Sequence, residues 1–236
     1  IPQLSDSSEV SINITRNKSI TYTALVPNLE GAIRAVEHGI NSISVITAAS
    51  EIFSLKNTNC SINKSIKKIS EIIDYAQEHD IKIRTYISTC WDCPYTGIIK
   101  PKMVKLIIDQ LYQFEIIREF VLSDTTGKAT AESVQYLMDI LFTEFDPSNF
   151  ALHFHDSFGQ AEDNLRCGLN NGITTFDSST GGIGGCPFSP GAKGNIASHK
   201  AVSIINDLGF STGINKAKLD DAGIFINSAI SNIQLS

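Results

Sequence analysis

The sequence predicts an α/β fold of the TIM (β/α)8 type, and three features lead there. Apolar runs of strand length alternate with segments of helical period about six times, which favours a parallel sheet with helical crossovers. Polar and glycine-rich residues cluster after the strands and not before them, at 27–28, 50–51, 88–97, 123–127, 153–159 and 178–195. An open doubly wound sheet shares both traits, because each architecture binds ligands at the carboxyl ends of its strands. The third feature separates the two: no Gly-x-Gly-x-x-Gly follows the first strand, and no Gly-x-x-x-x-Gly-Lys-Ser/Thr occurs anywhere. The nucleotide-binding sheets lose weight, and the barrel leads.

The first strand is 20–26 (ITYTALV), closed by Pro27-Asn28. A helix over 29–38 carries Leu29, Ala32, Ile33 and Val36 on one face, with Gly39 placed to end it in a left-handed turn. Residues 43–48 (ISVITA) form the next strand, and 62–77 the next helix, on the apolar series Ile62, Ile66, Ile69, Ile72 and Ile73. A strand at 81–87 leads to a helix at 102–114 that Pro101 introduces. The alternation continues with a short extended piece at 119–122, a helix at 132–145 and a strand at 150–155. A helix at 161–169, stopping near Gly172, precedes a strand at 174–178. After a glycine-rich loop come helices at 196–208 and 216–230.

With 42% hydrophobic residues the chain can bury a full core, read as one domain, 1–236, with C-terminal helices. A net charge of -6 argues against a general nucleic-acid surface. No run approaches the roughly 18 apolar residues of a membrane span. Ser5-Asp6-Ser7-Ser8-Glu9 breaks any signal-peptide pattern, and the first residue is Ile1, as expected of a fragment or a processed form. Five cysteines, an odd number in a chain too large to need disulfide staples, point to a reducing, cytoplasm-like compartment. Cys90-Trp91-Asp92-Cys93 has redox or zinc spacing, but no second Cys-x-x-Cys completes a zinc site.

The densest chemistry is HFHDSFGQ, from His153 to Gln160. Residues two apart on a strand share a face, so His153 and His155 both project inward at the catalytic end of a barrel. Two imidazoles on one face are half of a metal site; the alternative is one core histidine and one packed against a loop. Downstream, TGGIGGCPFSPGAKGN (180–195) joins glycines that permit close approach to Cys186. That thiol either reaches into a closed site as acid, base or nucleophile, or sits incidentally in a flexible loop. Asn195 stands at the mouth of the next helix, as its cap or as an oxygen donor to a metal.

HFHDSFGQA resembles the metal-binding strand of the metal-dependent lyase and synthase barrels. STGGIGGCPFSPGAKGN is similar to the more specific signature of their 3-hydroxy-3-methylglutaryl-CoA lyase branch. LVPNLEGAIRAVEHG, AASEIFSLKNTNCSI, CPYTGIIKP, LSDTTGKAT and TGINKAKL extend the resemblance over nearly the whole chain. It implies a retro-Claisen-type cleavage that yields acetyl-CoA and acetoacetate. It implies His153, His155 and Asn195 as ligands of Mg2+ or Mn2+, with His153 also counted as catalytic. Cys186 is the implied acid–base thiol, and Asp124 the implied aspartate of the active centre. The implied partners are an acyl-CoA substrate and a second copy of the chain in a homodimer, with no nucleic acid and no membrane. The implied setting is cytoplasmic, or the mitochondrial matrix in a eukaryote.

The resemblance breaks at the start. Family members carry Arg-Asp-Gly-Leu-Gln on a first strand, where the aspartate ligates the metal and the arginine stabilises the developing enolate; the sequence holds no such motif. By this alignment the first strand, its helix and the second strand are missing, leaving an incomplete barrel of about six of eight βα units with two unpaired edges. The chain alone is therefore expected to be inactive or nearly so, by on the order of 10³-fold or more. The rival readings are a non-catalytic metal- or CoA-binding remnant and a related acyl-CoA lyase or synthase. Asp156 is expected either to support a histidine or to start a helix. Glu51, Lys56 and Asn57 read as a solvated loop on the catalytic side or as substrate contacts, and Arg84, inside a strand, needs a carboxylate or the substrate as its partner. His38, His79 and His199 read as surface residues of helices.

Overall fold

Residues 4–185 and 194–234 are described by the structure, a computed structural model. The chain divides into two units, one of Ile1–Ser88 with Lys102–Val121 and one of Thr89–Pro101 with Leu122–Ser236.

The first unit contains α1 (Ser7–Asn13), β1 (Thr23–Leu25), α2 (Leu29–Glu37), β2 (Ser42–Ala48), α3 (Glu51–Thr58), α4 (Ile62–Glu78) and β3 (Lys82–Ser88). It continues with α5 (Pro101–Tyr112) and the first part of β6 (Ile117–Asp124). β2 pairs in parallel with β1, Leu25 opposite Ser44, and with β3 from Ser42–Lys82 to Ala48–Ser88. β6 follows β3 in the sheet order. Every residue of β2 except Ile46 is buried, as a strand covered on both faces requires. α4 lays Ile69, Ile72, Ile73 and Ala76 inward at helical spacing, each aliphatic side chain worth roughly 1.5–3 kcal/mol of burial. Asn28, Ser50 and Ser61 cap α2, α3 and α4 by accepting a backbone N–H of the first turn.

Several polar side chains of this unit pair with one another. Thr23 and Ser42 share a hydrogen bond of 2.9 Å, and Thr47 and Ser65 one of 2.6 Å. The partner that Arg84 requires is Glu119, 2.6 Å away, and Arg84 also donates to the Tyr86 hydroxyl at 3.1 Å. Three expectations change. The strand at 20–26 contracts to the three residues that find partners on β2. The piece at 119–122 grows to the eight residues of β6. Glu51, Lys56 and Asn57 lie on α3 and not in a loop, because Ser50 nucleates a helical turn there.

The second unit holds the hairpin β4 (Asp92–Cys93) and β5 (Gly97–Ile98), the end of β6, α6 (Ala131–Leu141), β7 (Phe150–Phe154), α7 (Ala161–Asn170), β8 (Thr175–Asp177), α8 (Ser198–Asp207) and α9 (Lys216–Gln234). The sheet order is β6-β7-β8, and β7 runs parallel to β8 with Ala151, Leu152 and His153 opposite Thr175, Phe176 and Asp177. A reciprocal Thr130–Ser133 capping box starts α6, which buries Val134, Leu137, Met138 and Leu141 along one stripe. On α7 the stripe includes Gly168, where a methyl group would collide with the Leu152 side chain of β7. Glycine at that position lets the helix settle against the strand.

Candidate functional site

β7 ends at Phe154, yet the chain beyond it keeps a partner. Ile196 N donates to Phe154 O at 3.0 Å, Asp156 N donates to Gly194 O at 3.1 Å, and His155 and Asn195 face each other in an antiparallel bridge. From the other direction His155 N donates to Asp124 O at 3.4 Å. Residues 124, 153–156 and 194–196, far apart in sequence, thus meet at the carboxyl end of β7. Gly194 makes this possible: a side chain there would overlap the Gly182 carbonyl.

The two imidazoles lie with ring centroids 5.4 Å apart and planes tilted by 53°. His155 is buried, and His153 is partly so. His153 Nδ1 lies 3.2 Å from Asp177 Oδ2, its register partner on β8. With Nδ1–H donated to that carboxylate, Nε2 keeps its lone pair for an electrophile. Asn195 Nδ2 donates to Ile183 O at 3.1 Å, which sets the orientation of the amide. Its Oδ1 is then buried without a hydrogen-bond partner. A buried acceptor left in that state costs roughly 1–3 kcal/mol, which a cation would offset. Two imidazoles and one amide oxygen fit such an ion. Among the described residues no group of three His, Cys, Asp or Glu could hold a metal ion, so the candidate set consists of two histidines and an amide.

The acidic residues near the histidines are each held by partners of their own. Asp124 is fully buried, and its carboxyl oxygens accept from the backbone N–H of Gly127 (3.0 Å), Lys128 (3.2 Å) and Ala129 (3.0 Å). Burial lifts its pKa, those amides pull it back, the charge of Asp92 adds to the rise, and the net value is about 6. This carboxyl holds the 124–129 turn. Asp156 accepts from the N–H of Ala161, the first residue of α7, at 3.3 Å and meets Lys200 Nζ at 3.4 Å. Asn195 is no helix cap: α8 starts at Ser198 behind Ala197.

Cys186 lies outside the described residues. Cys90 and Cys93 are buried thiols outside any disulfide, and burial drives the Cys90 thiol far above its usual range, against a ready thiolate at that residue. His38 and His79 sit at the ends of α2 and α4, each ring within hydrogen-bond distance of a carbonyl one turn back, and His199 is exposed on α8. Sequence reasoning overlooked Asp177. Its one available signal was position, since it ends a strand expected to lie beside the His153 strand.

The HMGL-like family model matches residues 1–226. This chain belongs to the HMGL-like family. A Pseudomonas aeruginosa relative, named 3-hydroxy-3-isohexenylglutaryl-CoA/hydroxy-methylglutaryl-CoA lyase, is 40% identical over 223 residues, 94% of this chain and 74% of its own length. The HMG-CoA lyase of Brucella melitensis matches in structure with a TM-score of 0.93 at 38% identity, over 97% of this chain and 81% of that one. An HMG-CoA lyase from Acinetobacter baumannii, solved in complex with coenzyme A and 3-methylmalate, matches with a TM-score of 0.91 at 32% identity, over 97% of this chain and 74% of that one. The fold of this HMGL-like chain is accordingly the α/β TIM type expected from the sequence, represented in part. Among the described residues no helix is long and apolar enough to cross a membrane.

Proposed function

We propose that this chain is a carbon–carbon lyase acting on 3-hydroxy-3-methylglutaryl-CoA, with Mg2+ or Mn2+ held by His153, His155 and Asn195. The observation that carries this reading is the buried, unpartnered Asn195 Oδ1 across the bridge from His155. The names of the HMG-CoA lyase relatives support the substrate, and the CoA complex of the Acinetobacter relative supports its acyl-CoA class.

A bound divalent cation supplies Lewis-acid polarisation that lowers the pKa of the substrate's tertiary hydroxyl. The chain's residues supply the rest. His153 presents Nε2 because Asp177 takes Nδ1, and Asn195 presents Oδ1 because Ile183 O takes Nδ2. Asp124 works through structure: its carboxyl holds the turn and its carbonyl receives His155 N. When a general base takes the hydroxyl proton, that carbon becomes the ketone of acetoacetate as the carbon–carbon bond breaks. The bonding pair passes to the thioester fragment as an enolate. We assign the proton that converts this enolate to acetyl-CoA to the Cys186 thiol, the role the resemblance implies.

Titration with Mn2+, following the free ion by electron paramagnetic resonance, tests the site. Wild-type protein is expected to bind, and N195A and H155A to bind at least about 10-fold more weakly with unchanged circular dichroism. A wild type that takes up no Mn2+, or variants that match it, would defeat the reading. For the reaction, any acetoacetate formed should appear on the order of 10³-fold more slowly than with an ordinary enzyme and should vanish in N195A; acetoacetate formed equally by N195A sinks the lyase assignment.

A further inference from the structure

We infer that Asp177 is a positioning residue that fixes the tautomer and orientation of His153. The functional sense of this inference rests on the cation reading above. Three observations carry it. The parallel ladder places His153 and Asp177 directly opposite each other, so both side chains leave the sheet on the same face. Asp177 Oδ2 lies 3.2 Å from His153 Nδ1, with both side chains about four-fifths buried, at 23% and 18% exposed. The other two acids near the histidines are committed elsewhere, Asp124 to three backbone amides and Asp156 to Ala161 N and Lys200.

The chemistry follows from the ring. A neutral imidazole carries one proton on either nitrogen and can turn over about its χ2 axis, which gives several arrangements of similar energy. An anionic acceptor at Nδ1 selects the arrangement with the proton on Nδ1 and the Nε2 lone pair directed away from Asp177. The carboxylate is itself held by its strand. Immediately after it, Ser178 Oγ bonds Ser198 Oγ at 2.8 Å and Ser179 N donates to Ile196 O at 3.0 Å. These bonds tie the end of β8 to the segment that carries Asn195.

The test uses wild type, D177A and D177N with two readouts. Long-range 1H–15N correlation of the histidine rings in metal-free protein, at mildly alkaline pH, reads the His153 tautomer directly. Mn2+ titration reads its consequence. Wild type is expected to carry the proton on Nδ1. D177A should shift the population toward the Nε2–H form and weaken Mn2+ binding about 10- to 100-fold. D177N, whose amide oxygen still accepts, should restore the tautomer and most of the affinity. A wild type protonated on Nε2, or a D177A protein whose tautomer and affinity match wild type, overturns the inference; the first of these needs no variant to fold. If wild type binds no Mn2+ while the tautomer still follows residue 177, the cation reading fails and positioning by Asp177 stands.

Discussion

The sheet of the first unit and the end of β7 in the second arrange their polar side chains differently. In the first, polar side chains in the sheet answer one another: Thr23 with Ser42, Thr47 with Ser65, Arg84 with Glu119. In the second, polar groups at the end of β7 are held in place by one atom. Asn195 spends Nδ2 on Ile183 and keeps Oδ1, and His153 is oriented at Nδ1 by Asp177. The difference teaches how to tell a structural polar residue from a working one. Asn164 on α7 also spends Nδ2, on Ala129 O, and keeps a buried Oδ1, so an unsatisfied acceptor marks a working group only beside other donors, as Asn195 stands opposite His155.

Substitutions at three positions sharpen or break this contrast. The largest effect is expected at Gly194, where a methyl group meets the backbone carbonyl of Gly182 and no flexible side chain can yield. G194A should cost about 3 kcal/mol or more in urea unfolding. G97A, at a positive φ but with open space around it, should cost only about 1–2 kcal/mol. Equal costs would mean that the packing of 194 against 182 is not what holds the bridge together.

Next comes Asp124. Its folded pKa, about 6, lies above the ordinary 3.8, so between those values the folded chain holds a proton that the unfolded chain has lost. Stability from this residue is full below pH about 4 and falls as pH rises through about 6, by roughly 3 kcal/mol in all. D124N removes that slope, while losing the acceptor for one backbone amide at every pH. Denaturant midpoints for the two proteins across this window should draw together as pH rises; parallel curves would contradict the assignment.

The smallest effect belongs to the first unit. Ser65 Oγ donates to Ile62 O at 2.7 Å, so in the Thr47–Ser65 pair Thr47 is the donor. S65A strands that buried hydroxyl and should cost about 1–3 kcal/mol, whereas the double variant T47V/S65A should recover much of it. Chemical denaturation of the two proteins decides, and a double variant no better than S65A would refute mutual satisfaction.

Legibility followed how local each feature is. α4 and α6 were readable because apolar residues at helical spacing declare a buried stripe without knowledge of any neighbour. β6 was underread at its two ends, where the sequence turns polar at Arg118 and again at Ser123-Asp124. α1 was missed: it buries nothing and offers no apolar stripe. The histidine pair and Asn195 stood out by motif, and the bridge brings His155 and Asn195 face to face. The place of Asp177 depends on strand register, and the work of Asp124 on a turn folding back over its carboxyl; neither is written in spacing along the chain.

That ladder of three rungs between β7 and β8 has a bearing on chain length. Sliding β8 by a single position would bring Phe176 or Ser178 opposite His153 and turn the alternate side chains to the wrong face. The residues linking α7 to β8 therefore work as a measured spacer, unlike a surface connection that tolerates insertions and deletions. One codon added or removed there would leave the helical content of the protein almost untouched while erasing the geometry around His153.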